Sequence, residues 1–102
     1  MSTLHTVNKS PFATKTLLSC LNHASKGDSI LLIEDGVYGA LKGSELAEII
    51  TTKAKDFSVF LLAPDMKARG INEDKLIENI ELVDYAKFVD MAAKHDLNQA
   101  WL

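Results

Sequence analysis

The stretch Asp28-Ser29-Ile30-Leu31-Leu32-Ile33-Glu34-Asp35-Gly36 constrains the fold more than any other part of the chain. Ile30 to Ile33 form an unbroken apolar run between polar residues and a turn. A strand with one wet face would alternate; a continuous run predicts a strand covered on both faces, as in a parallel sheet flanked by helices. This strand is expected at the centre of the sheet. Asp35-Gly36 ends it where a backbone with φ > 0 is tolerated, and in open α/β sheets sites tend to lie in the loops at the carboxyl ends of strands. That edge is the first place to look for function.

The rest of the chain alternates strand and helix signals. Leu4 to Val7 has the β-branched and apolar character of a short strand, which Asn8-Lys9-Ser10-Pro11 ends. Ser10 as N-cap and Pro11 at the first helical position predict a helix to about Ser25, with Leu17, Cys20, Leu21 and Ala24 as its core stripe and Leu18 at the margin. Val37 to Leu41 reads as a helical turn. Ser44 caps a second helix with Leu46, Ala47, Ile49 and Ile50 inward, ending near Lys53 to Lys55. Ser58 to Leu62 is the third strand, Pro64 opens a short helix that Gly70 closes, and Asn72-Glu73-Asp74 starts a turn. Ile80 to Val83 is the fourth strand. Asp84 caps a last helix with Tyr85, Phe88, Val89 and Ala92 on one face. The tail Asn98-Gln99-Ala100-Trp101-Leu102 ends on large apolar groups, which favours docking as an edge strand on its own sheet over docking on a partner. The alternation predicts a small three-layer α/β/α domain, residues 1–102, with a mostly parallel sheet of four to five strands.

Composition narrows the functions. The chain has 102 residues, enough for one modest core, and its 47% hydrophobic share beside 25% charged points to an interface. The formal charge is −3, and residues 56–102 carry nine acids against five cations. Without a broad basic footprint, direct tight binding of nucleic acid is not expected. A single cysteine, Cys20, excludes an intramolecular disulfide framework and multi-cysteine zinc motifs. The start of the chain lacks a signal-peptide pattern, and no apolar run approaches the ~20 residues of a membrane span. A cytoplasmic protein, without membrane, metal or cofactor, is the expectation.

Cys20 has the most reactive possibilities. A thiolate there would attack the outer sulfur of a persulfide, hold it, and pass it to the next thiol, with His23 one helical turn on as its neighbour. The opposing reading is a buried thiol on an apolar stripe, late in a helix whose dipole disfavours a negative sulfur. His5 beside a strand reads as a packed or hydrogen-bonded side chain rather than a base. His5, His23 and His95 share no metal-ligand spacing. Glu34 and Asp35 read as turn formers. Gly36, Gly39, Lys42, Gly43 and Ser44 lack the spacing of a phosphate loop, and Arg69-Gly70 reads as a helix end before an anion contact.

Five strings in order carry a resemblance: Leu4-His5-Thr6-Val7-Asn8-Lys9-Ser10-Pro11-Phe12, Glu34-Asp35-Gly36-Val37-Tyr38, Asp65-Met66-Lys67-Ala68-Arg69-Gly70, Val83-Asp84-Tyr85-Ala86-Lys87-Phe88-Val89, and Gln99-Ala100-Trp101. Together they resemble the TusB/DsrH family of sulfur-relay proteins over nearly the whole chain, with motifs closest to the DsrH branch. The resemblance implies a DsrEFH-like domain that assembles with TusC/DsrF-like and TusD/DsrE-like chains into a heterohexamer. It implies that the main relay cysteine lies on the TusD/DsrE-like chain, which exchanges persulfide sulfur with a TusE/DsrC-like carrier. The sulfur then serves 2-thiolation of tRNA wobble uridine or sulfur oxidation. Family members differ in keeping a cysteine at the position of Cys20, so the resemblance leaves its role, catalytic or structural, open. The expected function is an accessory subunit of a sulfurtransferase complex. The alternative is a homo-oligomeric module that binds a small anion near Asp35-Gly36 and Arg69.

Overall fold

Strand follows helix through the whole chain, as the sequence pattern requires. The computed structural model describes residues 2–53 and 55–102, with the backbone alone at position 45. Its strands are β1 (Thr3–Val7), β2 (Ser29–Leu32), β3 (Ser58–Leu62), β4 (Ile80–Val83) and β5 (Leu97–Trp101). Its α-helices are α1 (Thr16–His23), α2 (Glu45–Lys53), α3 (Ala63–Ala68) and α4 (Tyr85–Lys94), with 3-10 segments at Glu34–Ala40 and Glu73–Lys75. All strand pairs are parallel, in the order β4-β3-β2-β1-β5. β2 is therefore central, and all four of its residues are buried, which is why its sequence does not alternate.

The topology dictates the layers. From β1 to β4 each connection steps the same way across the sheet, so right-handed crossovers place these connections on one face; the return from β4 to β5 places α4 on the other. The first face is the thicker one. There α1, α2, α3 and the long 3-10 segment pack on Val7, Ile30, Leu32, Val59 and Leu61. On the second face Leu4, Leu31, Leu62, Val83 and Met91 form a smaller cluster under α4.

Two helix starts follow the expected chemistry. The Ser44 Oγ accepts the N–H of Ala47 at 3.1 Å, and the Asp84 Oδ1 accepts that of Lys87 at 2.8 Å, so both are N-caps. Gly70, with φ of 69°, closes α3. The second helix ends at Lys53; the part of the expected end at Ala54 lies outside the described residues.

Three expectations are corrected. The first helix does not begin at Ser10-Pro11. The Ser10 side chain and carbonyl close a turn over Phe12, Ala13 and Thr14, and α1 begins at Thr16, whose N–H is taken by the Thr14 Oγ1. The residue with φ > 0 after β2 is Glu34 (49°), not Gly36. Gly36 is needed for proximity: a Cβ there would lie 2.1 Å from the Val7 carbonyl oxygen, which already accepts the N–H of Ile33. On α4, Tyr85 and Val89 are 58% and 69% exposed, while Met91 is the buried residue and Phe88 and Ala92 are partly covered. Alone on this face, α4 buries only a narrow stripe of itself.

Candidate functional site

Buried polar groups gather at the amino end of the sheet, opposite the edge that the sequence singles out. His5 projects from β1 on the same side as Val7 and is 3% exposed; Asp28 precedes β2 and is 5% exposed. Asp28 closes the turn that leads into the central strand. Its N–H donates to the Ser25 carbonyl at 3.0 Å, while its Oδ2 accepts the Ser25 N–H at 3.0 Å and its Oδ1 accepts the Thr3 N–H at 3.1 Å. The third donor is His5, whose Nε2 lies 2.9 Å from Oδ2.

Trp101 fixes the form of that histidine. The indole Nε1–H lies 3.0 Å from the His5 Nδ1, and an indole can only donate. Nδ1 is therefore the acceptor and Nε2 carries the proton, so the partners assign a neutral imidazole. Burial alone would push the Asp28 carboxyl up, but the Ser25 N–H, His5 and the Thr3 N–H together hold it below the ordinary range. The result is one buried negative charge matched by three N–H groups, an arrangement that fixes β1, β2 and β5 against each other.

The two residues proposed for sulfur handling part company on α1. Cys20 is fully buried beside Leu17 and Leu21 in the main core. Burial, and after it the charge of Asp28, pushes its thiol from 9.0 up to about 12. A thiol in that state is neither ionised nor reachable at neutral pH. His23, the last residue of α1, is exposed and sets its ring edge-on against Trp101, with centroids 5.6 Å apart. Among the described residues no hydrogen bond joins it to Cys20. Together with Thr3, His5, Asp28, Asn98 and Gln99, His23 lines an open recess of about 270 Å³.

A second histidine pairing is invisible in the sequence. The His95 Nδ1–H donates to the Met91 carbonyl at 2.7 Å, and Nε2 is hydrogen-bonded to the Ser29 hydroxyl at 2.9 Å. The partners are 66 residues apart, so no local pattern could reveal them.

The carboxyl end of the sheet is built differently. The Arg69 Nε donates to the Asp35 Oδ1 at 2.9 Å and its Nη1 to the Asp65 carbonyl at 3.1 Å; the Asp65 side chain accepts the Glu34 N–H at 2.6 Å. The cation offered to an anion is already matched, with the charges of Asp35 and Asp65 beside it. Among the described residues no group of three or more His, Cys, Asp or Glu is placed to hold a metal ion, and no helix is long and apolar enough to cross a membrane.

The fold defines the class first. The ychN protein of E. coli superposes with a TM-score of 0.76 at 18% identity, covering 98% of this chain and 99% of its own. A Methanobacterium thermoautotrophicum protein of unknown function superposes at 0.73 and 13% identity, covering 97% and 96%. These likenesses establish the fold, an α/β domain on a five-stranded parallel sheet. Sequence comparison then gives the family. The family described as DsrH like protein matches residues 9–98. Protein TusB of Pectobacterium parmentieri is 34% identical over 98 residues, and Protein TusB of Yersinia pestis (strain Pestoides F) is 37% identical over the same length; each alignment covers 96% of this chain and 99% of the relative. The chain belongs to the TusB/DsrH family of sulfur-relay complex subunits.

Proposed function

We propose that this chain is the accessory subunit of a cytoplasmic heterohexameric sulfurtransferase, assembled with TusC/DsrF-like and TusD/DsrE-like sister chains. In this reading a TusE/DsrC-like carrier exchanges persulfide sulfur with a cysteine of the TusD/DsrE-like chain, for 2-thiolation of tRNA wobble uridine or for sulfur oxidation. The observation that carries it is the state of Cys20, the one thiol of the chain, fully buried and pushed up to about 12. Thiol exchange needs a thiolate in line with the sulfur it attacks. A sealed, protonated thiol supports a structural role for Cys20 and favours a reacting sulfur on another chain. His23 then serves as a packing partner of Trp101. The uncovered Tyr85 and Val89 on α4 support assembly.

Affinity purification from the native cell tests the assembly: two related small chains should co-purify, and their absence overturns the heteromer. Mass analysis of the complex loaded with a persulfide donor tests the chemistry. Extra sulfur is expected on a sister chain and none on Cys20, and Cys20→Ala should sustain relay within the complex. Extra sulfur on Cys20 would return the relay role to this chain.

A further inference from the structure

We infer that the outer edge of β5 is an interface between two copies of this chain, their β5 strands running antiparallel about a twofold axis at Gln99. The inference does not depend on sulfur transfer. It starts from a difference between the two edges of one sheet. β4 is four residues long, carries an exposed Glu81 in its middle and follows Glu78, the kind of charge that keeps an open edge from pairing with another chain. β5 has no such guard within the strand, and Asp96 just before it is taken up by the Ser2 N–H at 2.8 Å. Leu97-Asn98-Gln99-Ala100-Trp101 contains no charge, proline or glycine, and Leu97 to Ala100 are all exposed. It pairs with β1 on one side only, so alternate N–H and C=O groups point outward.

The same five residues complement themselves. A twofold interface brings one patch against its own copy, so the patch must tolerate its own side chains. With Gln99 facing Gln99 of the second copy, two amides meet, each able to donate and accept. Leu97, 52% exposed, then faces the Trp101 of the other copy, and Asn98 faces Ala100. No like charges are opposed. The strand is also held ready for pairing. The Leu97 N–H donates to the Ser2 carbonyl at 3.1 Å, the Ser2 N–H to the Asp96 Oδ2 at 2.8 Å, and the Trp101 indole to His5 at 3.0 Å. What remains is to release the Gln99 Nε2–H from the Ala100 carbonyl, to which it donates at 3.4 Å in the single chain, so that both can meet the second copy.

Sedimentation velocity of the full chain over a concentration series tests this. The unaltered chain should pass reversibly from monomer to dimer. Gln99→Lys and Gln99→Glu each oppose like charges across the axis and should weaken dimerisation by about tenfold or more, while an equimolar mixture of the two should restore it. Gln99 is exposed, and unchanged far-UV circular dichroism of each variant shows that the fold is kept. A chain that stays monomeric throughout, variants that dimerise as tightly as the parent, or a mixture that stays monomeric would each overturn the pairing. The outcome is separable from the proposed function. Sister chains bound to a complex in which this chain never meets its copy would sink the pairing alone; a β5-dependent dimer that recovers no sister chains would sink the heteromer alone.

Discussion

At the amino end of the sheet, Asp28 is 5% exposed and meets three N–H donors; at the carboxyl end, the Asp35 side chain is 61% exposed and meets one guanidinium. Both are carboxylates beside a basic side chain, yet the physics differs. Coulomb attraction at the open end is screened by water and offset by the entropy of fixing two mobile side chains. At the closed end the charge has left water, and each donor removed leaves a desolvation cost that nothing else meets. Burial, rather than the identity of the pair, separates a structural clamp from a surface contact.

The strongest way to break this contrast is to cut the clamp. Asp28→Ala leaves His5 and the Thr3 and Ser25 amides without their acceptor and should cost about 3 kcal/mol in urea unfolding. A loss no larger than that of the surface pair would erase the distinction. Acid titration sharpens the same point. Because the folded carboxyl is held below its ordinary value, its contribution is present above the usual Asp range of about 3.9 and is lost as the pH falls through the lower folded value. The unfolding midpoint of Asp28→Asn should therefore fall less steeply in acid than that of the parent.

Gly36 tests the carboxyl end where it is tight rather than open. Gly36→Ala sets a Cβ against the Val7 carbonyl and should cost about 2 kcal/mol, with strands β1 and β2 losing amide protection first. Cys20 extends the closed end into the core. Its folded pKa is raised, so its contribution is complete below the ordinary thiol value and is lost as the pH climbs from 9.0 toward about 12. Alkaline unfolding should be shallower in Cys20→Ala, and a thiolate-specific reagent should label the folded parent only as fast as it opens.

The smaller effects compare single contacts. Trp101→Phe keeps the ring but removes the N–H to the His5 Nδ1, and should cost about 1 kcal/mol in thermal or urea unfolding. Arg69→Ala should cost under about 0.5 kcal/mol, a difference that 1 M salt removes. A larger and salt-resistant loss there would mean that the carboxyl end is as integral as the amino end.

Much of the fold is legible in short windows. The run at Ile30 to Ile33 announces a central strand, the spacing of Leu17, Cys20 and Leu21 announces a buried helix stripe, and Ser44 and Asp84 announce helix starts, because each depends on neighbours within a few residues. The signal at Ser10-Pro11 misleads because the serine oxygen closes a local turn instead of a helix. Cys20 and His23 are adjacent on paper, and helical spacing alone cannot say that one faces the core while the other faces water against Trp101. The polar cluster is farther still from local reach, since His5 meets Asp28 across 23 positions and Trp101 across 96.

Periodicity, caps and turns by themselves determined that this chain would alternate strand and helix and place a doubly covered strand in the middle. Only the tertiary structure decided that the Trp101 N–H would occupy the Nδ1 of His5, that Asp28 would keep its charge inside the protein, and that one edge strand of the sheet would carry acids while the other stayed uncharged. The first set depends on the backbone geometry of a few consecutive residues, which sequence encodes directly. The second depends on side chains from distant strands meeting where water has been excluded, and that meeting exists only once the sheet has closed.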